Sequence, residues 1–224
     1  MIKRAFGAVA VIILAVVLTS GSVSAVEPTN LSVHKQEMAD YVSSGEYARS
    51  VADVALAANK FLAKRIPQGA KPGQKLAIVF DIDETLLSNL THIMANDYGY
   101  VPKVWDRWVA EGQAPAIIPV QTVYDAAVKA QIDIFIITGR KESDRIGTER
   151  NLHQVGYETW TRIIYRPAET EQPLSNAGFK TDVRRKLTQE GYTIIANIGD
   201  QSSDLSNGYA ERIFKLPNPF YFSK

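Results

Sequence analysis

The sequence predicts an α/β fold, a three-layer sandwich with a mainly parallel, Rossmann-like sheet between helices. Two observations predict it. Four short apolar runs, Lys75–Phe80 (KLAIVF), 132–137 (IDIFII), 162–165 and 192–198 (YTIIANI), read as strands buried on both faces. Segments with apolar residues at helical spacing separate them, and strands alternating with helices make a parallel sheet covered on both sides. The chain has 224 residues, 46% of them hydrophobic, with no Cys and no internal repeat. That is enough for a full core without disulfides, and it excludes thiol nucleophiles and thiolate metal sites.

Taken in order, Lys3 and Arg4 precede an apolar run over 5–18 and a small, polar stretch over 19–25 ending in Val-Ser-Ala. This pattern predicts a secretory signal peptide cleaved after Ala25. The apolar run is shorter than the roughly 18 residues that span a bilayer, so no stable membrane anchor is expected after cleavage, and no Cys follows for lipidation. Cleavage leaves 199 residues, 26–224, read as a single domain. Without Lys3 and Arg4 the 25 Lys and Arg become 23 against 24 Asp and Glu. This near-neutral balance gives no electrostatic case for a nucleic-acid partner.

Residues 32–65 read as one or two helices, and 67–73, with Pro67, Pro72 and two glycines, as a loop. The strand at 75–80 is followed by an insertion over about 91–118. A helix over 120–130, the strand at 132–137, a helix over 142–155 and the strand at 162–165 come next. A loop over 166–178 leads to a polar, basic helix over 181–190 and the strand at 192–198. Pro217 and Pro219 exclude regular structure over 216–220.

Ligands of such sheets sit beyond the carboxyl ends of the strands. The first strand ends in Asp81-Ile82-Asp83-Glu84-Thr85, the second in Thr138-Gly139-Arg140, the fourth in Gly199-Asp200-Gln201-Ser202-Ser203-Asp204. Each alone is ordinary turn or cap chemistry. Together they deliver carboxylates and a hydroxyl to one rim. Crowded carboxylates repel, which raises a pKa or calls for a hard dication with oxygen ligands, typically Mg²⁺, and such an ion brings phosphate chemistry with it. An ionised carboxylate attacks phosphorus without a separate base. His34, His92 and His153 have no metal-ligand spacing, and no Gly-x-Ser-x-Gly elbow or P-loop is present. The run Arg184-Arg185-Lys186 reads as a solvated face, while Arg140 and Arg145 are candidates for shaping the site.

FDIDETLLSN at 80–89, ITGR at 137–140, Lys180 and GDQSSD at 199–204 resemble, in order, the four motifs of the haloacid dehalogenase superfamily. Trp105-x-x-Trp108, Gly112-x-Ala114-Pro115-Ala116, Glu149-x-Asn151-Leu152 and Gly156-Tyr157 are similar to its acid phosphatase branch, which includes plant acid phosphatases and vegetative storage proteins. The resemblance implies that Asp81 is the nucleophile and Asp83 the proton shuttle. It implies Mg²⁺ held by Asp81, the Asp83 carbonyl and Asp200. It gives Thr138, with Gly139, to the phosphoryl oxygens, and Lys180 to phosphate charge and to Asp81, with Lys186 on the same helix as the other candidate lysine. Asp204 would contact the metal through water or orient Lys180. The function implied is hydrolysis of small-molecule phosphate monoesters, outside the cell or in a periplasm. The rival readings are phosphotransfer to an alcohol, and a weakly catalytic storage or binding protein.

Overall fold

The computed structural model describes residues 25–167 and 174–223; the expected signal peptide, apart from Ala25, lies outside them. Among the described residues no helix is long and apolar enough to cross a membrane. Two helices open the fold, α1 (Leu31–Ser43) and α2 (Glu46–Arg65). They are separated at Gly45, whose φ of 75° is the left-handed conformation that glycine adopts without strain. Strand β1 (Lys75–Phe80) follows, then α3 (Leu90–Ala95) and α4 (Pro102–Glu111) in the segment expected as an insertion. Next come α5 (Ile118–Lys129), β2 (Asp133–Lys141), α6 (Arg145–Gln154) and β3 (Arg162–Arg166). The chain continues through α7 (Asn176–Gln189), β4 (Tyr192–Gly199), α8 (Ser202–Leu205) and β5 (Arg212–Lys215).

The five strands are all parallel, in the order β3-β2-β1-β4-β5. The core explains the continuous apolar runs. On one face Ile78 and Phe80 of β1 pack with Ile134 and Ile136 of β2 beneath α2 and α5. On the other, Ala77, Val79, Phe135 and Ile137 meet Phe179 and Leu187 of α7. Successive strand residues point to opposite faces, so a strand covered twice must be apolar at every position. This is the three-layer α/β arrangement that the sequence predicts.

Most boundaries shift by a few residues, strand β2 running on to Lys141, and two elements differ further from the sequence reading. Helix α7 starts at Asn176, five residues before the expected start, because Ser175 caps it by accepting from the Gly178 N–H at 3.1 Å. Strand β5 was not expected. Only Phe214 of its four residues is buried, so it carries neither a continuous apolar run nor an alternation. Residues 216–223 form neither helix nor strand, as the prolines require.

The chain runs outward from β1 through β2 to β3, then returns to place β4 on the other side of β1. Crossovers on either side of β1 diverge there and leave a crevice at the carboxyl ends of β1, β2 and β4.

Candidate active site

Asp81 is the first residue beyond β1, held in the sheet by its N–H donating to the Ile198 carbonyl at 3.0 Å. The chain then turns sharply. The N–H groups of Leu86 and Leu87 both donate to the Ile82 carbonyl at 2.9 Å, and Glu84 takes a left-handed φ of 51°. This turn lets Asp81 and Asp83, two residues apart, both line one cavity of about 550 Å³. Lys180, Gly139, Arg140, Asp200 and Asp204 line it as well.

Of the sequence-predicted residues, Asp81, Lys180, Asp200 and Asp204 form one buried cluster. Lys180 Nζ donates to Asp81 Oδ1 at 2.5 Å and to Asp204 Oδ1 at 2.6 Å. Lys186 instead lies on the surface, paired with Asp182 at 2.8 Å, so of the two candidate lysines it is Lys180 that the structure places in this cluster. Asp204 is itself fixed by the Gln201 N–H, which donates to Oδ2 at 2.7 Å. Gly199 allows that approach: a Cβ there would sit 2.5 Å from the Asp204 Cβ. Thr138 is fully buried, accepts from the Arg140 N–H at 3.0 Å and is not among the cavity-lining residues, whereas Gly139 is.

Asp83 stands slightly apart. Arg140 Nη2 donates to its Oδ1 at 2.7 Å, and Asn89 Nδ2 donates to the same oxygen at 2.9 Å. Arg140 is almost completely buried and also donates to Thr148 at 3.0 Å. Arg145 bonds Glu142 and Glu149 on the surface instead and is not in the cavity lining.

Burial, followed by the neighbouring carboxylates Asp204, Asp200 and Asp83, pushes the Asp81 carboxyl well above the carboxylate range, against the pull of Lys180. Burial and then Asp204 raise Asp200 to about 6. For Lys180 burial acts downward, but Asp81 and Asp204 outweigh it and hold the ammonium above its ordinary value. Asp81, Asp200 and Asp204 each offer an oxygen, all within 4.8 Å of one another. Three buried carboxylates answered by one ammonium leave negative charge uncompensated, and all the donors are hard oxygens. That set fits a divalent cation.

The structure adds participants that the motifs do not reveal. Glu84 is 1% exposed and pushed up to about 8, by burial first and then by Asp83 and Asp200. It accepts from the Asn89 N–H at 2.5 Å and from the Tyr221 hydroxyl at 3.1 Å. Asn89 in turn accepts from Trp108 Nε1 at 2.8 Å. Glu84 and Asn89 both lie within the FDIDETLLSN run, which by itself assigns them no role, and Tyr221 carries no local signal.

One expectation is overturned. Arg184 is not part of a solvated face: it is fully buried and donates to the carbonyls of Asp204 (2.5 Å), Ser206 (2.5 Å) and Gly208 (3.1 Å). It staples the turn that carries Asp204. Only Arg185 and Lys186 of that run face water, where both pair with Asp182.

Comparison with known proteins agrees with this geometry. Residues 12–224 match the profile of the HAD superfamily, subfamily IIIB (Acid phosphatase). The chain is 35% identical to Acid phosphatase 1 of Solanum lycopersicum over 88% of its length and 80% of that protein's. It is 37% identical to the Stem 28 kDa glycoprotein of Glycine max over 66% of this chain, although the match spans only 60% of that protein. Vegetative storage protein 1 of Arabidopsis thaliana is 33% identical over 64% of this chain and 54% of that protein. The class C acid phosphatase from Bacillus anthracis shares the fold, with a TM-score of 0.69 at 23% identity over 86% of this chain and 87% of that one. The chain therefore belongs to subfamily IIIB of the HAD superfamily, the acid phosphatase family.

Proposed function

We propose that the protein is an exported, Mg²⁺-dependent acid phosphatase that hydrolyses small-molecule phosphate monoesters through a phosphorylated Asp81. The observation that carries this reading is the Lys180 ammonium bridging Asp81 and Asp204, with Asp200 in the same buried cluster. An aspartate held at the end of β1, in a cavity large enough for a small ester, is placed to attack. Family membership and the plant acid phosphatase relative support the same chemistry. Export rests on the N-terminal sequence pattern alone.

In this reading a carboxylate oxygen of Asp81 forms the bond to phosphorus as the ester oxygen leaves. Asp83 gives that oxygen a proton, then takes one from the water that hydrolyses the acyl phosphate. Arg140 and Asn89 crowd Asp83 Oδ1, while among the described residues Oδ2 receives only Arg140 Nε at 3.3 Å. Oδ2 is the oxygen assigned to proton transfer. Lys180 holds Asp81 and offsets phosphoryl charge, and Gly139 gives the phosphoryl oxygens a polar wall, while Thr138, behind it, holds the Arg140 N–H. A Mg²⁺ held by Asp81 and Asp200, with Asp204 close by, would neutralise the carboxylates and the charge developing on the phosphoryl group.

The test is a panel of nucleotides, sugar phosphates and aryl phosphates, assayed with Mg²⁺ and after chelation. Phosphate release that needs the cation is expected. No release from any member would favour a storage or binding protein. Phosphate appearing on an added alcohol in place of water would mark a phosphotransferase.

A further inference from the structure

The segment 216–223 is irregular, yet it reaches the centre of the site. The Leu216 N–H donates to the Gly199 carbonyl at 2.9 Å, tying the segment to the end of β4. Phe220 is buried, edge-on to Tyr47 of α2 at 5.2 Å. Between these anchors, Asn218 Nδ2 donates to Asp200 Oδ2 at 2.6 Å. The other end of the Asn218 amide is occupied, because Oδ1 accepts from the Phe220 N–H at 2.9 Å. That bond fixes which way the amide points. The Tyr221 hydroxyl lies 3.1 Å from Glu84 Oε2 and 3.4 Å from Asp200 Oδ2.

A second donor depends on the same segment. Gln201 Nε2 donates to Asp200 Oδ2 at 2.8 Å, and its Oε1 accepts from the Ser223 N–H at 3.2 Å. Two amides thus donate to one oxygen of Asp200, while the single hydroxyl hydrogen of Tyr221 goes to the nearer Glu84. Among the described residues the other Asp200 oxygen, Oδ1, meets only the Thr85 hydroxyl, at the long distance of 3.5 Å.

We infer that residues 218–223 are a positioning wall for the cation site, in which Asn218, together with the Gln201 amide that Ser223 holds, saturates Asp200 Oδ2 and so presents Oδ1 to the metal. The inference rests on the proposed role of Asp200. Carboxylates that ligate metals are commonly oriented by such outer partners, whose loss costs about 10- to 100-fold in metal affinity. Asn218 acts through Asp200 and is not among the residues that line the cavity.

The experiment is calorimetric titration of the chelator-stripped protein with Mg²⁺, with thermal melts of each variant alongside. Wild type should bind, and Asp200→Asn should lose binding. Asn218→Ala should bind about 10- to 100-fold more weakly while melting as a folded protein. Gln201→Met keeps the length of the side chain and removes the second donor to Asp200 Oδ2, so it should fold and bind measurably more weakly even if Asn218→Ala does not fold. If Asp200→Asn loses binding while Gln201→Met and a folded Asn218→Ala bind like wild type, the positioning role is overturned and the cation reading stands. If wild type fails to bind, or Asp200→Asn binds as tightly as wild type, the cation reading itself falls and takes this inference with it.

Discussion

Arg140 grips Asp83 asymmetrically: Nη2 and Nε lie 2.7 Å and 3.1 Å from Oδ1, while only Nε reaches Oδ2, at 3.3 Å. A planar fork sets the angle of a carboxylate in a way that the point charge of an ammonium does not. Arg140→Lys should therefore keep the positive charge and still lose much of the roughly hundred- to ten-thousand-fold contribution of general acid–base catalysis. The loss should be larger for alkyl esters, whose leaving oxygen needs the proton, than for nitrophenyl phosphate. Steady-state kinetics on both esters measure it, and an equal loss on the two would separate Arg140 from Asp83 function.

Among the described residues Lys180 is the only ammonium paired with the Asp81, Asp200 and Asp204 cluster. Removing one partner of a buried pair leaves uncompensated charge, typically at a cost of about 3–5 kcal/mol. Lys180→Ala should lose stability of that order in chelator and recover part of it with a divalent cation, read by denaturant unfolding. Unchanged stability in chelator would mean that the carboxylates are already neutral there.

Glu84 makes the metal-free fold sensitive to base. In the folded protein it keeps its proton up to about pH 8, whereas its ordinary value is 4.5. A group whose pKa is raised on folding stabilises the fold fully below its unfolded value, and that contribution is lost as the pH climbs to the folded value. Chelated protein should thus melt at lower temperature as the pH rises from about 5 to about 8. Asp200, raised to about 6, acts in the same direction. Glu84→Gln should flatten the profile; a slope as steep as that of wild type would remove Glu84 from the explanation.

The two tryptophans of α4 divide between substrate and scaffold. Trp105 lines the cavity with Tyr100 and lies 5.7 Å from the Arg140 guanidinium. Trp108 is tied to Asn89 and stacks on His92 at 5.2 Å. Trp105→Ala and Tyr100→Ala should change the ratio of nucleotide to sugar-phosphate turnover, because an aromatic face discriminates between aryl and polyol groups. Trp108→Ala should lower all substrates alike through Asn89 and Asp83. Equal losses for every variant on every ester would make the whole segment scaffold.

The layers of the fold and the acidic cluster at the strand ends were legible, because both depend on contiguous residues. Buried parallel strands leave continuous apolar runs, and strand ends fall where those runs stop. Lys180 was legible only through the order of the motifs, since its local composition matches that of Lys186. Arg184 was misread for the same reason. A basic run looks solvated until the 204–208 turn docks on it and presents carbonyls. Asn218 and Tyr221 act more than a hundred residues from Glu84, or from a neighbouring strand across a loop, so no periodicity marks them. Strand β5 is too short and too exposed to announce itself.

The central claim is that Asp81 carries the phosphoryl group, and Asp83→Asn tests it most directly. With the nucleophile intact and the proton shuttle gone, nitrophenyl phosphate should phosphorylate the protein readily, because its phenolate leaves without help. Clearance should then be slow. Rapid-quench kinetics should show a burst of nitrophenol near one equivalent, with one phosphoryl group on the peptide containing Asp81, and no burst in Asp81→Asn. If Asp83→Asn and Asp81→Asn lose activity alike on nitrophenyl and alkyl esters, with neither a burst nor a modified peptide, Asp81 is not the covalent carrier.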